Sequence, residues 1–278
     1  PEGGDERCAE GWGAARLDDR FADLVMMPGL VEAHAHVMSG GIWRYAYVGH
    51  YPRTDPDGRR VEGVASTAAL VERLAALVRE TPGDGPVVAW GFDPNFVDGP
   101  QLSRDDLDRA GERPVVVLHS NFHLLTCNSA ALRAADVEGS NVEGVVRDAE
   151  GRATGELQEF DAMGPVMRFA GVDFADLSSE PASVRAYGAI ARRCGVTTVA
   201  DLFSELREAE VEMLLAETGA EGFPARYVPM MNAMADAPEV AAERAAALGV
   251  RSTDKLRLGG AKLFTDGAIN SNINLYTP

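Results

Sequence analysis

Three times between residues 181 and 265 the chain sets out an amphipathic stretch, a turn and then a short apolar run. In "SVRAYGAIARRCG", Val184, Tyr187, Ala191 and Cys194 fall at helical spacing, with Ser183 as the expected N-cap and Gly195 as the stop. The β-branched run "VTTVADL" follows at once. "SELREAEVEMLLAETG" then precedes "ARYVPMM", and "PEVAAERAAALG" precedes "KLRLGGAKLF". Strands that alternate with helices in this way pair in parallel, because a parallel neighbour is reached only through a crossover. The strands are of similar length and none is followed by a dinucleotide glycine fingerprint. Both features favour a (β/α) barrel over a doubly wound sheet.

An earlier strand is expected in residues 24 to 37, "LVMMPGLVEAHAHV", interrupted at Pro28-Gly29 and resumed toward two histidines. Residues 40–180 break the alternation and form, on this reading, an inserted α+β subdomain. It comprises a helix over 67–80, apolar strands in "PVVAWGF" and "PVVVLHS", a short helix in "NSAALRAA", and a hairpin in "VVRDAEGRATGEL" that turns at Gly151.

Composition narrows the function classes. A formal charge of −17 repels phosphate, which excludes nucleic acid and anionic membrane as partners. No apolar run is long enough to span a bilayer, and the opening "PEGGDERCAEGWG" is acidic where a secretory leader is basic, so the expected location is the cytoplasm. Cys8, Cys127 and Cys194 lie too far apart for a thiolate metal site and are expected to pack in the interior. Of 26 basic residues only Lys255 and Lys262 are lysines, which singles out both.

His34 and His36 are two of only five histidines. Their i, i+2 spacing on a strand sends both imidazoles to one face, and at the C-terminal end of a barrel strand that face lines the active site. Such a pair is a two-point clamp for a metal ion. The alternative, a chance recurrence of His-x-His, leaves unexplained why the pair closes an apolar strand.

"MPGLVEAHAH" resembles the first-strand signature of the metal-dependent amidohydrolase superfamily, and "ARRCGVTTVADL" resembles its second helix–strand unit. The stretches "GFDPNF", "LDRAGERPVVVLHSNFH", "CNSAAL", "DAEGRATGEL" and "GGAKLFTDGA" follow the order of its family 3 branch, which includes N-substituted formamide deformylase. The similarity runs along nearly the whole chain. It implies a (β/α)8 TIM barrel with metal ligands from strand 1 (His-x-His), strand 4 (a lysine, often carboxylated), strands 5 and 6 (a histidine each) and strand 8 (an aspartate). Counted in that scheme, "LRLGGAKLF" is the fourth strand and Lys262 takes the lysine position, as a carbamate bridging two ions. In the alternative, Lys262 snorkels to water or pairs with Asp266.

The resemblance also implies that only strands 1–4 are present. Residues 1–23 would be the remnant of an N-terminal β-domain or linker, 24–39 with 181–278 the partial barrel, and 40–180 the insertion. A general-base aspartate is expected on the missing eighth strand. The implied activity is hydrolysis of an amide or related C–N bond, of N-acyl or N-formyl amine type, in a small molecule. The cofactor would be a divalent metal, two Zn2+ ions, with Fe, Ni or Mn and a mononuclear site left open. Hydrolysis of esters, lactones or ring systems, and a non-catalytic fragment or binding module, stand as alternatives. A homodimer is allowed for.

The remaining candidates are weaker. His123 and Asn128 match a family stretch facing the pocket and are candidates for substrate contact or for ordinary polar satisfaction, and Glu159 matches a family glutamate. Asp201 ends the second strand, where it either supports the metal ligands or caps the next turn. His119 is expected to be structural, His50 to lie at the surface, and Asp266-Gly267 to mark a turn. Arg44, Arg53 and Arg168 are carboxylate binders or surface residues.

Overall fold

The structure, a computed structural model, describes residues 19–97, 101–234 and 236–263. Twelve strands lie within these residues. The first six are β1 (Leu30–Ala35), β2 (Ala46–Tyr47), β3 (Arg53–Thr54), β4 (Arg60–Val61), β5 (Val87–Phe92) and β6 (Val115–His119). The others are β7 (Leu124–Cys127), β8 (Val145–Arg147), β9 (Ala153–Gln158), β10 (Val196–Ser204), β11 (Arg226–Asn232) and β12 (Gly260–Lys262). Four of them form one sheet, ordered β1-β10-β11-β12 with every pairing parallel. Six form a mixed sheet ordered β2-β5-β6-β7-β9-β8, and β3 with β4 makes a small antiparallel ribbon.

The helix–turn–strand alternation accounts for the four-stranded sheet. Helices Pro181–Arg193, Glu208–Gly219 and Pro238–Gly249 each precede a strand and cover one face of the sheet. Val184 and Ala191, Val211 and Leu214, and Ala241, Ala245 and Leu248 pack there against Val199, Tyr227 and Met231. Period 3.6 in the helices thus meets period 2 in the strands, and the apolar stripes have only one mutual way to be buried.

The six-stranded sheet is buried on both faces, which is why its strands read as continuous apolar runs rather than alternating ones. Val88, Trp90, Val116 and Leu118 join one core, and Val87, Ala89, Val115 and Val117 join another on the opposite side. The helix Thr67–Glu80 is as expected, capped by Ser66, whose hydroxyl accepts from Ala69 N–H. The hairpin β8–β9 turns through Gly151 at φ 81°, a conformation that glycine adopts without steric cost.

Three local expectations need correction. The first strand begins only at Leu30, whose N–H donates to the Gly195 carbonyl. Residues 24–29 carry no strand and Val25 is 94% exposed. Pro28 offers no N–H to a ladder, so pairing cannot extend back through it. The helix expected to start at Ser183 starts at Pro181, whose fixed φ suits the first helical position, and Ser183 is buried against Gly41 instead. Within the described part of "KLRLGGAKLF", residues 255–263, the strand is Gly260–Lys262, and Leu256 meets Tyr227 through an isolated bridge. Cys8 and Asp266-Gly267 lie outside the described residues, in which no helix is long and apolar enough to cross a membrane.

Directly after the histidines the short helix Met38–Gly41 crosses the helix Pro181–Arg193 at backbone distance. A Cβ on Gly40 would lie 2.2 Å from the Ser183 carbonyl oxygen and 2.6 Å from the Tyr187 nitrogen. The two chain segments therefore touch where a side chain would hold them apart.

One buried acid gives the fold a pH signature. Burial in the helix Glu208–Gly219 pushes the Glu210 carboxyl from 4.5 up to about 7, against the lowering effect of hydrogen bonds from Leu206 and Arg207. Between those values the native state keeps a proton that the unfolded chain has released, so stability falls as pH rises through that window. Glu210→Gln should flatten the pH dependence of urea unfolding between about pH 4.5 and about pH 7. An unchanged slope would place the titration elsewhere.

Candidate metal centre

In a parallel sheet all C-terminal strand ends share one edge, and the candidate residues gather on that edge. His34 lies on β1 and His36 just beyond it. Their ring centroids are 5.2 Å apart, edge to face at 87°. His34 is open to solvent, and its backbone N–H donates to Glu32 Oε1 at 3.1 Å. Partial desolvation lowers its pKa, and the charges of His36 and Lys262 push the same way against Glu32 and Asp201. The neutral imidazole is thereby favoured, the form that carries a lone pair for a cation.

Asp201, near the end of β10, is the register partner of Ala35 and is fully buried. Its Oδ1 accepts from Phe203 N–H at 3.0 Å and lies 3.3 Å from His36 Nδ1. Its Oδ2 accepts from Val37 N–H at 3.0 Å and from the Tyr227 hydroxyl at 2.5 Å. Burial raises the Tyr227 phenol well above its ordinary pKa, and the Asp201 charge raises it further, so it remains a donor. Asp201 is therefore bound to the strand end carrying the histidines and does not act merely as a turn cap. Tyr227 was missed in the sequence. The available signal was a hydroxyl-bearing aromatic in an otherwise apolar strand, one strand away from a strand-end aspartate.

Lys262 closes β12 as the register partner of Asn232, is half-buried, and is near enough for its charge to depress His34. Among the described residues no three His, Cys, Asp or Glu side chains form a group that could hold a metal ion. The donors at this edge are thus two imidazoles and a lysine, and a lysine amine becomes an anionic ligand only after modification. That set fits part of the coordination sphere of a borderline divalent cation, which favours imidazole nitrogen.

A second cluster lies on the six-stranded sheet. His123 Nδ1 is 2.9 Å from Glu159 Oε2, and Glu159 N–H donates to the His123 carbonyl at 2.9 Å. Phe122, directly before His123, and Glu159 itself have left-handed backbones at φ 60° and 61°, which is strained for residues with a Cβ. Phe160 packs on the His123 ring at 5.9 Å. Glu159 Oε1 is buried without a partner.

Asn128 corrects the expectation of substrate contact. It is fully buried, its Oδ1 accepts from Val115 and Ala131 N–H, and its Nδ2 donates to the Arg113 carbonyl. It caps the helix Ser129–Ala134 and has no surface to offer a ligand. His119 is structural as expected. Its Nε2 is 2.9 Å from the Thr126 hydroxyl, and burial brings its pKa down to about 4. His50 departs from its expected surface position, since its Nδ1 is buried beneath Tyr51 and Phe96. Cys127 is interior, whereas Cys194 is exposed. Arg44 is committed to Glu180, and Arg168 is exposed. Arg53 lies over the Tyr47 and Trp90 rings at the rim of a 570 Å³ cavity that Trp43, Phe122 and Tyr187 also line.

Asn128→Ala should cost about 2 kcal/mol in urea unfolding, from the lost cap and the stranded backbone groups, with bound metal unchanged. A loss of metal without a loss of stability would return Asn128 to the site.

A model of the amidohydrolase family matches residues 22–275. YtcJ of Bacillus subtilis (strain 168), which carries an amidohydrolase name, is 26% identical over 159 residues, covering 55% of this chain and 28% of its own length. The exoenzymes regulatory protein AepA of Pectobacterium carotovorum subsp. carotovorum is 28% identical over 149 residues, covering 48% and 29%. The crystal structure of an uncharacterized metal-dependent hydrolase from Pyrococcus horikoshii OT3 superimposes with a TM-score of 0.51 at 17% identity, over 88% of this chain and 44% of that one. At that identity the likeness is one of mixed α/β fold. The matched stretches span less than a third of the curated relatives.

Proposed function

The chain belongs to the amidohydrolase family, family 3, and on that premise we propose that it forms part of a metal-dependent hydrolase of small molecules. The bond cleaved is an amide or related C–N bond of the N-acyl or N-formyl amine type. The observation that carries this reading is the pair His34 and His36 on the C-terminal edge of a parallel sheet, one held against a buried carboxylate and the other favoured neutral beside Lys262. In this reading β1, β10, β11 and β12 are the first four strands of a (β/α)8 barrel, and residues 40–180 are an insertion between the first and second.

His34 and His36 would hold a divalent ion through one ring nitrogen each. Zinc is the preferred identity, in a pair of ions, and iron, nickel and manganese also accept imidazole with carboxylate-type oxygens. The chemistry supplied by such a centre when bound is polarisation of a carbonyl and acidification of a water. The Lys262 amine, in its neutral form, would add to carbon dioxide, an N–C bond forming as one C=O π pair moves onto oxygen and a proton leaves to water, and the carbamate so formed would supply anionic oxygen for a cation. The family's proton-transferring aspartate belongs to an eighth strand, beyond the four described here. The half-exposed His123–Glu159 pair is proposed to contact substrate, where its hydrogen bond orients the imidazole. The −17 charge suits a soluble small substrate and disfavours nucleic acid or an anionic membrane as partner.

A second reading, a binding module without catalysis, draws on the absence of a third His, Cys, Asp or Glu donor among the described residues. Metal analysis of the full-length protein separates the two. His34→Ala and Lys262→Ala should each lose most of the bound divalent metal, and full retention in both would overturn the site. Turnover of N-formyl and N-acyl amines is expected. Turnover of the matching esters alone would reassign the bond, and retained metal with no turnover at all would favour the binding module.

A further inference from the structure

We propose that Asp201 and Tyr227 are positioning residues that hold His36 as its Nδ1–H tautomer and so leave Nε2 as the lone-pair nitrogen offered to a cation. The inference rests on the proposed metal site for its purpose, but its structural content is independent of any ion.

An ionised carboxylate has about four lone-pair positions and no donor. At Asp201 each oxygen has two neighbours. Phe203 N–H and His36 Nδ1 meet Oδ1, and Val37 N–H and the Tyr227 hydroxyl meet Oδ2. The two backbone amides can only donate. Tyr227 is buried, and its phenol keeps its proton and donates. If the fourth neighbour, His36 Nδ1, carried a lone pair, it would face the lone pair of Oδ1 at 3.3 Å, a repulsive contact. If it carries the proton, the set closes with four donors on four acceptor positions. In the neutral form of the ring the remaining lone pair then lies on Nε2, since one ring nitrogen donates and the other accepts. Tyr227 acts at one remove. Its hydroxyl and the Val37 amide fix Oδ2, which leaves Oδ1 aimed at the ring, and the Val37 amide belongs to the residue directly after His36. Ring orientation and backbone position are thus set by the same carboxylate. His34 has no bond to this group; its own backbone tie is to Glu32.

The test uses the full-length, metal-free protein labelled with 15N, with spectra recorded across a pH series so that the neutral ring is read apart from the imidazolium. Two-bond nitrogen–proton correlation spectra should show His36 with a pyrrole-type Nδ1 and a pyridine-type Nε2. Asp201→Asn should mix the two tautomers, Tyr227→Phe should shift the ratio in the same direction by less, and the His34 pattern should stay constant in both. Zinc affinity, measured against a chromophoric chelator, should fall by roughly 10- to 100-fold in Asp201→Asn, as for other groups that orient metal-binding histidines, and by a smaller factor in Tyr227→Phe. A residue needed only for packing would lower the melting temperature and leave the tautomer untouched. If Asp201→Asn does not fold, Tyr227→Phe, which keeps the ring volume, carries the comparison. An Nε2–H tautomer in the wild type, or a tautomer ratio indifferent to both substitutions, would overturn the proposal. The expected tautomer in a wild type that binds no zinc would instead sink the metal reading and leave the positioning standing.

Discussion

A fully buried carboxylate cannot be left uncompensated, and at Asp201 the compensation ties together three neighbouring strands, the exit of β1, the later part of β10 and the start of β11. Its four partners come from the segment after β1, from β10 itself and from β11. The parallel ladder is irregular on both sides of it, between Glu32 and Ala35 and between Asp201 and Ser204. In β10 the carboxylate takes up the Phe203 amide within the irregular stretch, and in β1 the His34 amide there turns to Glu32. His36 is held in consequence of this arrangement, and His34 is placed through the strand they share.

Much of the fold was legible because two periodicities differ so clearly. Helices Thr67–Glu80 and Pro238–Gly249, the hairpin at Gly151 and the two doubly buried strands β5 and β6 all follow from local pattern. The failures occurred where the pattern was weak. Apolar residues 24–27 look like strand, but Pro28 cuts them off from the ladder and they remain exposed. Ser183 has the chemistry of a cap, yet Pro181 two residues earlier already satisfies the start of the helix.

At the site, spacing exposed the histidine pair because a strand turns i, i+2 into one face, and that rule needs no tertiary knowledge. Asp201 was visible only as an alternative between two roles. Its acceptors are filled from residues 26 and 165 positions away, and no local window contains them. Asn128 was open between substrate contact and polar satisfaction, because a polar residue beside an apolar run fits both, and its bonds to Val115, Ala131 and Arg113 decide for the second. The left-handed backbone at Glu159 leaves no trace in residue type at all.

The contact at Gly40 has a consequence for divergence within any lineage that keeps this arrangement. With two main chains already touching there, even an alanine would act as a wedge between the helix Pro181–Arg193 and the turn that follows the histidines. The displacement would reach the Val37 carbonyl, which accepts the Gly40 N–H, and with it the turn that leads out of β1.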